Sequence, residues 1–309
     1  MKLHVNGNYK NLSQPDPYII KANGFYYIYA TNVDGVQLYK SKDMINYDYL
    51  GIVYSKQDEK EYWAPSVIEI NGKFYMYVSS MKKDSDDVHT QRIQVIESDN
   101  PETNWHYVKD LLPPFSIDAH VVNTDCGLYI FYCNNDYDSV RAGTYILVDK
   151  MPDPYSVEGK PVAVVKPSLD EEIFQKDRFK KGQHWHTIEG PFYFKEGDYH
   201  YCMYSGSAYE KETYFIGYAV AKGETDDLRK LKFKKYPDEN TYKPLLRKGE
   251  FQEGTGHNSV IKENGKYYIV YHGRDVVKGD KPLQAERRTF RMDEMKVDNG
   301  VLEVNAKNK

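Results

Sequence analysis

Three acids and one histidine in this 309-residue sequence open segments that scan alike, and they are residue types suited to proton transfer or cation binding. The segments are DPYIIKANGFYYIYA from Asp16, APSVIEINGKFYMYV from Ala64, DAHVVNTDCGLYIFY from Asp118, EGPFYFKEGDYHYCMY from Glu189 and HNSVIKENGKYYIVY from His257. A glycine follows the first residue by eight positions in four of them and by nine in the third. Taken singly, Asp16 before Pro17 reads as a turn or cap residue, and Glu189 before Gly190-Pro191 as a loop carboxylate. Their shared register argues for more. Carboxylates brought together repel one another and lose solvation, which raises at least one pKa, and no Lys or Arg stands at the same position to offset this. Two uses fit: holding a hard cation, or acid and base chemistry on a polar substrate.

The elements that must position these residues follow from the same segments. Each has a short apolar strand, a turn containing Gly and a second strand rich in Tyr and Phe, which is the pattern of a β-hairpin. Further strand-like text follows each hairpin, such as VQLYKSKDMINYDYLG after the first. A hairpin plus two strands makes a four-stranded blade, and radial repetition of blades makes a propeller. The expected fold is therefore all-β, a five-bladed β-propeller over residues 1–309 as one catalytic domain, closed by strands from RRTFRMDEMKVDNGVLEVN. Insertions such as KPSLDEEIFQKDRFKKGQHWHT would supply loops over a binding face, with His184 and His186 as loop residues.

In a propeller the first strand of each blade lines the central channel. The expected ring at one mouth is Asp16, Ala64, Asp118, Glu189 and His257. Asp16 and Glu189, in non-adjacent blades, would face each other across it, and a gap wide enough for water suits an inverting glycosidase. Trp63, just before the ring position of the second blade, is expected on the rim as a platform for a sugar. Most of the 30 tyrosines fall in the repeats and read as strand residues.

Bulk properties narrow the classes further. The net charge of -4 arises from 42 basic and 46 acidic residues without a block of like charge, so neither nucleic acid nor an anionic membrane is an expected partner. Cys126, Cys133 and Cys202 have no metal-binding spacing and read as buried thiols. The opening MKLHVNGNYKNLSQ has no apolar leader and no run of 18 apolar residues occurs, so with Met1 as the natural start a cytoplasmic location is expected.

On these residues the sequence resembles glycoside hydrolase family 43, inverting enzymes on a five-bladed propeller that release arabinofuranosyl and xylosyl units. The stretches that carry the resemblance are QPDPYIIKANGFYYIYAT, YKSKDMINYDYLG, WAPSVIEINGKFYMYVS, SIDAHVV, HTIEGPFYFK and GTGHNSVIKENGKYYIVYHGR, spanning about residues 14 to 290. The resemblance implies Asp16 as general base, Glu189 as general acid and Asp118 as the residue that raises and orients the acid. It implies no cofactor for the chemistry. It also implies a structural calcium or other cation in the channel, contacted by His257, and a sugar-binding arginine, for which Arg288 is preferred over Arg287. The wording around these residues is most similar to exo-acting α-L-arabinofuranosidases on arabino-oligosaccharides, with β-xylosidase action on xylo-oligosaccharides as the alternative. A noncatalytic sugar-binding propeller would not require three registered acids, and sucrose-type hydrolases would show an RDP where SIDAH stands.

Overall fold

The computed structural model describes residues 1–7, 13–223, 225, 227–276 and 287–304. Its described residues form strands, turns and three short 3-10 segments. The first blade comprises Tyr18–Ala22, Phe25–Ala30, Val36–Ser41 and Asn46–Tyr54, with His4–Asn6 added in parallel to the last of these. The second comprises Glu59–Ile70, Lys73–Lys82, Arg92–Ser98 and His106–Asp110. The third is built from Ile117–Thr124, Gly127–Asp136, Gly143–Met151 and Val162–Val165. The fourth is built from Trp185–Glu196, Tyr199–Gly206, Phe215–Lys222 and Lys234–Lys235. The fifth consists of Gln252–Glu263, Lys266–Asp275, Thr289–Asp298 and Val301–Val304. Strand order within each blade is sequential and antiparallel, and the protein is a five-bladed β-propeller.

The hairpins form where the turn chemistry places them. Asn23-Gly24, Asn71-Gly72 and Asn264-Gly265 have positive φ at both positions, the conformation that twists in step with paired strands and favours Asn followed by Gly. The first strand of each blade contacts that of the next, so these five strands surround one axis. Blades 3 and 4 also pair directly, through Gly143 and Thr144 beside His186 and Thr187. A Cβ on Gly143 would lie 2.1 Å from the carbonyl oxygen of His186, so only glycine permits this approach. Between blades 5 and 1, the Ser259 hydroxyl donates to the Pro17 carbonyl (2.7 Å) and accepts from the Ile19 amide (3.1 Å). Gln14 adds a second tie, its amide donating to the Arg288 carbonyl (2.9 Å) and its side-chain oxygen accepting from the Phe290 amide (2.9 Å).

The tyrosines explain themselves in the seams between blades. Tyr29, Tyr77 and Tyr129, on the second strands of blades 1 to 3, donate to Pro101, Pro154 and Asp227 of the following blade at 2.6, 3.0 and 3.2 Å. In blade 4, Tyr201 accepts from the Gly300 amide of blade 5 (2.9 Å). Phenylalanine would fill the same apolar seam but make none of these bonds. Of the cysteines, Cys133 and Cys202 are buried as expected, whereas Cys126 is exposed, because it sits in the turn of the third hairpin.

Candidate active site

In blades 2 to 5 the first strand carries a bulge at its upper end, where three of its residues span two of its partner's. At this level one residue per blade lies in the left-handed region: Asp16 (φ 54°), just before the first strand of its blade, Ala64 (φ 44°), Asp118 (φ 58°), Gly190 (φ 64°) and His257 (φ 37°). The ring expected from the sequence is thereby corrected in one member. In blade 4 the equivalent residue is Gly190, and Glu189 precedes it, at the ladder position that Trp63 occupies in blade 2. Counting from the hairpin glycine misplaces Glu189 because the fourth hairpin is one residue shorter above its turn. The prolines at 17, 65 and 191, each following the left-handed residue, carry the correct register.

Fifteen positions after each of these residues stand Thr31, Ser79, Cys133, Ser205 and His272, at the upper ends of the second strands. Three of them receive the left-handed residue's amide from the next blade. The Ala64 amide donates to Thr31 Oγ1 (2.7 Å), that of His257 to Ser205 Oγ (2.8 Å), and that of Asp16 to His272 Nδ1 (3.1 Å). Nothing in the individual segments singles these residues out, but the constant spacing of fifteen is visible in the sequence once the register is known.

Asp16 is the most heavily contacted acid. Thr31 Oγ1 donates to its Oδ2 (2.6 Å), so Ala64, silent in its own side chain, orients Asp16 through Thr31. Its Oδ1 faces His272 Nδ1 (3.4 Å), His257 Nδ1 (3.5 Å) and an Arg288 nitrogen (4.0 Å). Burial alone would push this carboxyl up, but His257, His272 and Arg288 outweigh it and hold Asp16 well below the usual carboxylate range. His272, fully buried, is pushed down to about 4 by loss of solvation and is neutral near pH 7.

The other two acids shift in the opposite sense. Burial, then the charge of Asp118, raises the Glu189 carboxyl, while burial, then the charge of Asp16, raises Asp118. Asp118 Oδ2 accepts the Gly190 amide (3.0 Å), which favours its charged form and ties it to the residue after Glu189. Glu189 Oε1 accepts from the hydroxyl of buried Tyr214 (2.6 Å). Tyr214 in turn stacks on His272, with ring centroids 5.8 Å apart. Its ring lies against Gly256, where a Cβ would come within 1.7 Å of Cε1. The glycine of GTGH thus makes room for the ring that contacts Glu189.

Asp16, Asp118, Glu189, His257 and Arg288 are therefore brought together at one mouth. One step along the axis, Tyr18, His120 and Phe192 from three blades meet, with His120 and Phe192 centroids 4.3 Å apart and the Tyr18 hydroxyl 3.0 Å from His120 Nδ1. These rings fill the axis beneath the acids. Trp63 is half-buried against the core of blades 3 and 4, and its Nε1 donates to Glu61 (2.9 Å). Among the described residues no group of three or more His, Cys, Asp or Glu side chains is arranged to hold a metal ion. His257, expected to contact a channel cation, has its Nδ1 facing Asp16 (3.5 Å) and belongs to no such group. His184 lies in a loop as expected, but His186 is buried in the first strand of blade 4, where its amide donates to the Ala142 carbonyl (2.9 Å).

Comparison with known proteins places this geometry among related enzymes. Residues 10–302 match the family model of Glycosyl hydrolases family 43. The chain is 30% identical over 246 residues to an extracellular exo-alpha-(1->5)-L-arabinofuranosidase of Streptomyces avermitilis, a match covering 74% of this chain and 46% of that protein. It is 23% identical to the extracellular exo-alpha-(1->5)-L-arabinofuranosidase ArbA of Cellvibrio japonicus, over 85% of this chain and 79% of that one. The crystal structure of a thermostable family-43 glycoside hydrolase superposes with a TM-score of 0.79 at 28% identity, covering 99% of this chain and 96% of that one. The chain thus spans about half the length of the Streptomyces relative. The cytoplasmic location expected from the opening residues is corrected by these matches, since both arabinofuranosidases are described as extracellular and the start of a sequence is no guide to location.

Proposed function

From the premise that the chain belongs to glycosyl hydrolases family 43 and is a glycosidase whose chemistry needs no cofactor, we propose an inverting, exo-acting α-L-arabinofuranosidase releasing terminal units from arabino-oligosaccharides. The observation that carries this reading is the contrast between two acids at one mouth: Asp16 faces His257, His272 and Arg288, which favour its charged form, whereas Glu189 is buried near Asp118, which favours its protonated form. Environments that push two carboxyls apart assign base to one and acid to the other. The choice of sugar and of exo action rests on the names of the two arabinofuranosidase relatives. We treat residues 1–309 as one catalytic unit, a reading supported by the ties between the first and fifth blades.

In the proposed single displacement, Asp16 takes a proton from a water as that water attacks the anomeric carbon. Thr31 fixes the orientation of Asp16, and its neighbours His257, His272 and Arg288 keep it ionised. Glu189 gives its proton to the departing oxygen. Asp118 acts through Glu189, its charge holding the proton there until the bond breaks. Arg288 and His257 stand beside Asp16 to bind the hydroxyls of the terminal sugar. Trp63 is the rim residue we assign to the substrate.

Nitrophenyl α-L-arabinofuranoside and nitrophenyl β-xyloside, assayed side by side with NMR of the first-formed anomer, test the sugar and the stereochemistry. Asp16→Ala and Glu189→Ala should each lower kcat on arabino-oligosaccharides by roughly 10²–10⁴-fold. Glu189→Ala should retain more activity on the nitrophenyl substrate, whose leaving group needs little help from an acid. Wild-type rates in Glu189→Ala on natural oligosaccharides, or a retained anomer, would sink the assignment.

A further inference from the structure

Four residues before Glu189 on the same strand stands Trp185, and the register shift there lies in the short partner strand Ile173–Gln175, whose three residues span Trp185 and His186, so Trp185, Thr187 and Glu189 follow their own strand's alternation onto one face. The strand rise puts Trp185 about 13 Å above Glu189, a distance spanned by a short oligosaccharide rather than one sugar. Trp185 is itself 4% exposed, but it carries two aromatic rings that are not buried. Tyr137, 51% exposed, stands with its centroid 5.1 Å from that of Trp185, and Phe179, 58% exposed, meets it edge-on at 5.7 Å.

Neither ring is loose. The Asn135 side-chain amide donates to the Tyr137 hydroxyl (3.2 Å). The Arg178 guanidinium lies 5.0 Å from the Trp185 ring centre and 5.6 Å from that of Phe179. The loop bearing Phe179 is closed on itself, with the Gly182 amide donating to Asp177 (2.6 Å), the Arg178 amide to the Gln183 carbonyl (3.0 Å) and the Asp177 amide to His184 (3.1 Å). Single exposed apolar side chains need no explanation, but two rings fixed against one buried tryptophan, in line with the proposed acid, form a preorganised stacking surface.

We propose that Tyr137 and Phe179 form a leaving-group subsite that stacks on a sugar beyond the first unit on the departing side of the cleaved bond. This rests on Glu189 as the acid, because the group that protonates the departing oxygen must face the departing chain. The subsite makes the enzyme prefer longer oligosaccharides over short or aryl substrates.

The test is the ratio of kcat/KM on a pentosaccharide to kcat/KM on the nitrophenyl glycoside, in whichever pentoside series the wild type cleaves. In the double variant Tyr137→Ala/Phe179→Ala the ratio should fall about tenfold. Tyr137→Phe, which keeps the ring, should stay within twofold of wild type. Thermal unfolding midpoints identify any variant that loses the fold, and for such a variant Tyr137→Ala and Phe179→Ala are read singly. An unchanged ratio in folded Ala variants overturns the subsite while leaving the proposed function intact. A wild type inert on both pentoside series overturns the proposed function first, and the subsite with it.

Discussion

At the scale of single residues, the site depends on how three carboxyls with similar intrinsic acidity are driven apart. Asp16 faces two histidines and an arginine and stays charged, whereas burial and then the charge of Asp118 raise Glu189 so that it keeps its proton. The sign of the pH effect follows. An acid catalyst works while protonated, so activity is lost as pH rises through the raised pKa of Glu189, and the charge of Asp118 is one of the causes that raises it. Asp118→Asn removes that charge while leaving an oxygen to accept the Gly190 amide. The alkaline limb of kcat/KM should therefore move to lower pH, as measured on an aryl glycoside across pH 5 to 10; a limb that stays in place would assign Asp118 a purely structural role. The three acids were legible in the sequence because a repeat exposes whatever breaks it. Thr31, Ser205, Tyr214 and His272 were not, because a Thr or Tyr at the end of a strand looks like any other until its partner in the next blade is known.

At the scale of elements, the seams between blades are sealed by tyrosine rings and fastened by their hydroxyls. Tyr29 illustrates the division of labour: its ring meets Trp105 edge-on at 5.9 Å, and its hydroxyl reaches the Pro101 carbonyl of the next blade. Tyr29→Phe keeps the first and removes the second, leaving the Pro101 carbonyl with only its longer bond from Trp105 Nε1 (3.3 Å), at a cost of about 0.5–1.5 kcal/mol. Chemical denaturation should show a lower midpoint with an unchanged slope, and an unaltered midpoint would mean that the seam is apolar packing alone. The hairpins themselves were readable from Asn-Gly turns and alternating strands, since both are local patterns. The bulge above the hairpins of blades 2 to 5 was not, and in blade 4 it decides whether Glu189 or Gly190 takes the left-handed position.

At the scale of the whole molecule, a propeller has one place where chain ends and chain closure must agree, the seam between blades 5 and 1. Ser259 satisfies both the Pro17 carbonyl and the Ile19 amide there, flanking the strand that Asp16 precedes. Ser259→Ala strands both groups in a buried seam and should cost about 1–3 kcal/mol. The loss should appear in the denaturation midpoint, with kcat/KM at room temperature falling less than in Asp16→Ala. Equal loss of activity without loss of stability would mean that the seam positions Asp16 rather than closing the ring.

What the sequence determined by itself was everything that rests on short-range pattern: the turn residues, the alternation of the strands, the fivefold repetition that calls for a closed ring of blades, and which acids stand where the repeat changes its wording. Tertiary structure alone decided the register of Glu189, the exposure of Cys126, the partners that orient Asp16 and the aromatic surface above the proposed acid. The reason is physical. Those features depend on contacts between blades, through hydrogen bonds joining residues as far apart as Asp16 and His272, and on one left-handed residue per blade, whose position is set by the neighbour it must meet rather than by its own side chain.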